Sequence, residues 1–287
     1  MVVTPRPPAV AGQFYAGTGA ELARQLEQCF LDPRGPGALP VRHRTASRAL
    51  KAAVVPHAGY EFSGPIAAHA YALLAGQRAP ETVLILGVDH HGLGDGPVVS
   101  DRPWLTPLGP TAVDHDLVRA LTKDPIRVDE AAQAREHSIE VQLPFVEYVV
   151  PRPKFVALQV RFARFEDLGK VARVVREAVK GRDVLLLAST DFSHYVPART
   201  AERLDRLAID AILARDPRGL YDTVVGNDIS MCGIAPTTVL LAALSEERLT
   251  TRLLRWGHSG EVQPMRDVVG YAALALEAPV DPASSVK

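Results

Sequence analysis

Cysteine is nearly absent: Cys29 and Cys232 are the only two among 287 residues. Two distant cysteines cannot frame a fold with disulfides, which fits a reducing compartment. No apolar run approaches the roughly 18 residues that span a bilayer. Between Arg6 and Ala9-Val10-Ala11 there is no apolar stretch of the kind a secretory signal needs. The expectation is a cytoplasmic protein without membrane contact. Neither sign of charge dominates, since 32 Lys+Arg against 33 Asp+Glu leave a formal net charge of -1. No global field therefore draws the chain to nucleic acid.

Several catalytic signatures are missing as well. There is no His-Glu-x-x-His helix of the zincin type. Gly257-His258-Ser259-Gly260-Glu261 lacks the final glycine of a nucleophile elbow. Gly92-Leu93-Gly94-Asp95-Gly96 follows a strand-like run, but its spacing is not that of a dinucleotide loop, and Pro97-Val98-Val99 continues as strand where such a loop would open a helix. No internal repeat or low-complexity block is present.

What is present is an α/β rhythm built on 47% apolar residues, enough for a sizeable core. Thr18 and Glu21 form a capping-box pattern ahead of Leu22, Leu26 and Phe30, predicting a helix with one apolar face. Residues Asp32 to Ser47, rich in proline and glycine, read as an exposed loop. Strands are expected at Ala52 to Val55, Thr82 to Val88, Pro97 to Ser100, Phe155 to Val160 and Val184 to Ala188, with two late ones at Arg252 to Trp256 and Val268 to Leu276. Helices are expected at Pro65 to Leu74, Asp114 to Leu121, Ser138 to Val149, Glu166 to Val179, Ala201 to Leu213 and Ile234 to Leu244. The run Thr82 to Val88 shows no alternation, as in a strand covered on both faces. The prediction is a single α/β domain over 1–287, with a core at about 7–276, a mixed, mostly parallel central sheet flanked by helices, and a frayed polar tail at 280–287.

Three of the apolar runs stop at histidines. Val55 leads into Pro56-His57, Val88 into Asp89-His90-His91, and Ala188 into Ser189-Thr190-Asp191-Phe192-Ser193-His194. Ligands of open α/β sheets bind beyond the carboxyl ends of the strands, so these motifs are placed to meet in one crevice. At His57 a metal ligand and a turn histidine bonded to a carbonyl fit equally. Of the adjacent His90 and His91 only one is expected to enter the site, because neighbouring side chains on an extended segment diverge. His137 and Glu140, three apart, would share one helix face, as an acid/base or metal pair or as an ordinary helix start. Asp191 either orients His194 or caps the next turn. Cys232, just before a helix, is either a small core residue or a thiolate whose pKa the helix end lowers.

In order, Ala9-Val10-Ala11-Gly12-Gln13-Phe14-Tyr15, Pro56-His57-Ala58-Gly59-Tyr60, Leu86-Gly87-Val88-Asp89-His90-His91, Glu136-His137-Ser138-Ile139-Glu140, Ser189-Thr190-Asp191-Phe192-Ser193-His194 and Cys232-Gly233 resemble the Memo family, whose prokaryotic members are called AmmeMemoRadiSam system protein B. The resemblance implies a fold similar to class III, LigB-type extradiol dioxygenases, which hold non-haem iron by two histidines and a glutamate. It places His57 and His90 at the histidine positions and Cys232 at that of the glutamate. The implied cofactor is one transition metal, iron or copper favoured and zinc admissible. Ring cleavage is not implied, because a thiolate replaces the carboxylate. His137, Asp191 and His194 are implied to line the same pocket as orienting and proton-transfer groups, with His194 the better acid/base candidate. The resemblance implies oxidation of an unknown small molecule or peptide. The alternative is a non-catalytic adaptor that recognises a peptide or an AMMECR-type or radical SAM partner.

Overall fold

The computed structural model describes residues 4–41 and 47–279; the tail expected to fray lies outside them. Helix α1 (Gly19–Leu31) begins where the capping box predicts. The Thr18 hydroxyl accepts from Glu21 N and donates to the Glu21 carboxylate, and Leu22, Leu26 and Phe30 are buried together. Strand β1 (Leu50–Val55), helix α2 (Tyr60–Ala75) and strand β2 (Thr82–Val88) follow. Helix α2 starts five residues before the expected Pro65. A proline there removes the hydrogen bond that the Glu61 carbonyl would accept, and the Arg34 guanidinium donates to that carbonyl instead, at 3.3 Å.

Five two-residue strands come next: β3 (Val98–Val99), β4 (Leu105–Thr106), β5 (Gly109–Pro110), β6 (Ala112–Val113) and β7 (Arg127–Val128), with α3 (His115–Leu121) capped by Asp114. The helix expected over Ser138 to Val149 is split. A 3-10 turn at Glu140–Gln142 precedes α4 (Leu143–Val149), so His137 lies ahead of any helix. The chain continues through β8 (Lys154–Val160), α5 (Phe165–Val179), β9 (Val184–Ser189), β10 (His194–Pro197), α6 (Ala198–Leu213), α7 (Pro217–Gly226), α8 (Ile234–Ala243), β11 (Thr250–His258) and β12 (Asp267–Glu277). Helix α7, not anticipated, carries readable signals: Asp216 caps it and Pro217 stands at its first position.

Among the described residues, ten strands form one mixed sheet: eight follow the path β10-β12-β1-β9-β2-β8-β3-β7, β11 pairs with β12 and β6 with β8 off that path, and β4 and β5 pair separately. Its centre, β1-β9-β2-β8, is entirely parallel, and antiparallel β12 and β3 flank it. Because side chains alternate across a strand, each central strand feeds two cores. Ala52, Val54, Leu84, Leu86 and Leu186 pack under α5 to α8; Ala53, Val55, Val83, Ile85 and Leu187 pack under α1, α2 and α4. This three-layer stack is a single α/β domain. Among the described residues, no helix is long and apolar enough to cross a membrane.

Candidate metal centre

Strand β9 lies between β1 and β2, and all three run the same way. Their carboxyl ends therefore open side by side, and the segments after them deliver His57, His90 and Asp191 to one crevice. Cys232 arrives from across the sequence, two residues before α8. The Gly233 amide donates to Thr190 Oγ1 at 2.9 Å, and a Cβ at position 233 would fall 2.2 Å from Thr190 Cβ. Only glycine lets the two loops touch here.

His57 is 2% exposed. Its backbone N–H donates to Asp191 Oδ1 at 2.8 Å, its Nδ1 is 3.0 Å from Ser189 Oγ, and its Nε2 is 3.3 Å from Cys232 Sγ. Burial pushes its pKa well below that of free histidine, and the neighbouring His90 and His137 push it further.

His90 is gripped by Glu136. One carboxylate oxygen accepts from His90 N and the other lies 2.9 Å from His90 Nδ1. Burial would raise the Glu136 carboxyl, but the hydrogen bond from His90, the charges of His90 and His137 and the Ser138 N–H outweigh it and hold it at about 2. An ionised carboxylate only accepts, so Nδ1 of His90 carries a hydrogen, and in the neutral ring Nε2 keeps its lone pair. The His137 ring stacks on His90, with centroids 4.3 Å apart and planes at 18°. Its other ring neighbours are His57 at 5.6 Å and Phe14 at 5.0 Å. Burial and His90 bring His137 down to about 4. The nitrogen and sulfur donors of His57, His90 and Cys232 all lie within 4.8 Å of one another.

Asp191 acts on the turn after β1 rather than on the one that follows it in sequence. Its carboxylate holds the His57 amide, its own N–H donates to Cys232 Sγ at 3.2 Å, and burial raises it to about 6. His194 sits on β10, with its backbone N–H on Ser230 Oγ and its Nδ1 2.8 Å from Ser230 O. A carbonyl only accepts, so the neutral His194 ring carries its hydrogen on Nδ1 and leaves Nε2 bare.

At three positions the structure decides what the sequence left open. Cys232 is not an early-ionising thiol: desolvation raises its pKa above the ordinary value, and the nearby Asp191 charge adds to this, so the helix end does not prevail. Glu140 does not pair with His137. It is buried and accepts from Arg6, from the amides of Ala9 and Val10 and from the Tyr15 hydroxyl, tying the N-terminal segment down. Of the adjacent pair, His90 faces the crevice and His91 turns away to the Arg135 carbonyl at 3.0 Å. Glu136, Ser189 and Gln142 were not singled out as site residues. No spacing flags them, because Glu136 reaches His90, Ser189 reaches His57 and Gln142 reaches Ser189 only through the tertiary fold.

A family model described as Memo-like protein matches residues 6–275. A MEMO1 family protein of Methanopyrus kandleri is 40% identical over 279 residues, spanning 94% of this chain and 98% of the relative. Another, from Ignicoccus hospitalis, is 40% identical over 289 residues, spanning 96% and 99%. Among solved structures, an uncharacterized protein from Escherichia coli K12 aligns with a TM-score of 0.52 at 15% identity, covering 78% of this chain and 99% of that one, a likeness in fold.

Proposed function

Since the chain belongs to the Memo family, we propose that it is a metalloprotein in which His57, His90 and Cys232 hold one transition metal for oxidation of a small molecule or a protein group. The observation that carries the proposal is the convergence of these three donors within 4.8 Å. The residues fit a metal: His90 offers a bare Nε2, and His57 Nε2 and Cys232 Sγ are already 3.3 Å apart. Ligand bonds of about 2.0–2.3 Å close such a spread with small side-chain movements. Glu136 is the carboxylate partner that orients a ligating histidine.

Two imidazoles and a thiolate suit iron, copper or zinc, and iron or copper, which we favour, supplies electron transfer when bound. The chain's own groups do the rest. Cys232 gives up its proton on ligation, because only the thiolate binds. Asp191, raised to about 6, is placed to hold a proton beside Cys232, and His194 presents an open Nε2 for proton transfer. His137 covers one face of His90 and limits water there. The proposal does not extend to ring cleavage, for which a carboxylate ligand leaves the metal better poised.

Elemental analysis of protein purified without an affinity tag tests this, beside His57→Ala and His90→Ala variants whose folding is checked by circular dichroism. The expected result is about one metal per chain in the parent and almost none in either folded variant. Negligible metal in the parent after reconstitution, or equal metal in all three, rejects the reading.

A further inference from the structure

We infer that Ser189 is a positioning residue that locks His57 in the Nδ1–H tautomer and so aims the bare Nε2 at Cys232. Ser189 is the last residue of β9, fully buried, and register places it beside Val55, two residues before His57. A serine hydroxyl has one proton to give and two lone pairs to accept with. All three are committed.

The Ser189 proton goes to Ser138 O at 2.7 Å, since a carbonyl cannot donate. One lone pair accepts from Gln142 Nε2 at 2.8 Å. The orientation of that amide is fixed independently: Gln142 Nε2 also donates to Pro56 O at 2.8 Å, and Gln142 Oε1 accepts from the Tyr71 hydroxyl at 2.7 Å. Reversing the amide would face two acceptors at Pro56 O. The remaining lone pair of Ser189 Oγ faces His57 Nδ1 at 3.0 Å and can only accept, so Nδ1 must carry the hydrogen. His57 and His90 thus reach the same tautomer by different partners, a saturated hydroxyl and a carboxylate.

The arrangement is costly to alter because every member is buried, and a polar group left unmatched there loses its hydrogen bond with no water to replace it. It also discriminates among substitutions. Ser189→Ala removes the acceptor for Nδ1–H and frees the ring to put its proton on Nε2, where it would donate to Cys232 Sγ. Gln142→Met leaves the Ser189 proton on Ser138 O, so the tautomer stays although the protein is destabilised.

The test is nitrogen NMR of the histidine side chains in metal-free protein at about pH 8, where imidazole is neutral. The expected result is Nδ1–H at His57 in the parent and in Gln142→Met, and Nε2–H or a mixture in Ser189→Ala. Nε2–H in the parent, or an unchanged tautomer in Ser189→Ala, overturns the inference. If Ser189→Ala does not fold, the parent spectrum alone decides. The consequence for affinity rests on the metal reading: competition against a chelator should show Ser189→Ala binding about tenfold more weakly. A parent with the Nδ1–H tautomer that takes up no metal would leave this assignment standing and remove the metal proposal alone.

Discussion

Glu136 holds His90 at two points, one carboxylate oxygen on the backbone amide and the other on Nδ1, each at 2.9 Å. The grip sets both where the residue sits and which way its ring presents Nε2. Glu136→Gln is isosteric but supplies only one accepting atom for the two donors. Metal affinity, measured by chelator competition, is expected to fall about 10- to 100-fold, with the fold retained. Unchanged affinity would mean that Glu136 does not orient a ligand.

Glu140 carries the opposite expectation. With Arg6 at 2.6 Å, both side chains almost fully buried, it anchors the N-terminal segment; Arg6 also lies over the Trp104 ring and donates to the carbonyls of Gln133 and Glu136. Arg6→Ala should cost about 3–5 kcal/mol, because it strands a buried carboxylate. Metal content per folded chain should hold near the parent value in Glu140→Gln. Chemical denaturation and elemental analysis separate the two effects, and a metal loss without a stability loss would return Glu140 to the site.

Most of the fold is legible in the sequence because strong periods survive burial: Leu22-Leu26-Phe30 and the unbroken run Thr82 to Val88 announce their elements. What fails is local. The stretch Ser138 to Val149 looks like one helix, yet Glu140 is drawn inward by Arg6, and the first turn tightens to a 3-10 turn. At the site, strand-end histidines mark the crevice, because β1, β9 and β2 end together. The partners that orient them are invisible in one dimension, since Ser189 meets His57 only through strand register and Gln142 meets Ser189 and the Pro56 carbonyl only through the tertiary fold. The ionisation of the Cys232 thiol is left open by the sequence for a related reason. Helix-end position is readable from sequence, but desolvation is not.

Gly233 tests the contact that brings Cys232 home. In Gly233→Ala the new methyl would lie 2.2 Å from Thr190 Cβ, and backbone must move to relieve it. A loss of about 1–3 kcal/mol is expected from such overpacking, with Cys232 displaced from His57 and metal affinity reduced. Gly233→Ala combined with Thr190→Gly relieves only the contact with the threonine side chain: the approach to the Ser189 carbonyl at 2.7 Å remains and the hydroxyl that accepts from the Gly233 amide is lost, so little recovery is expected. Parent-like stability and metal affinity in Gly233→Ala would show that the close approach of the two loops is not what seats Cys232.

Glu147 offers a pH-dependent prediction away from the metal donors. Burial raises its carboxyl from 4.5 to about 7, against the Thr106 hydroxyl that donates to it at 2.6 Å. The folded-state pKa exceeds the unfolded one, so the native state prefers the protonated form. The associated stability is fully present below about pH 4.5, declines as pH rises toward 7, and is gone above it. A shift of this size corresponds to about 3 kcal/mol as an upper bound, because the side chain keeps some solvent contact. Glu147→Gln retains an acceptor for Thr106 and never ionises. Relative to the parent it should gain about 1–3 kcal/mol between pH 5 and pH 8, by urea denaturation at each pH. Groups that titrate in both proteins cancel in that difference. A stability difference that does not change with pH would show that Glu147 ionises at its ordinary value.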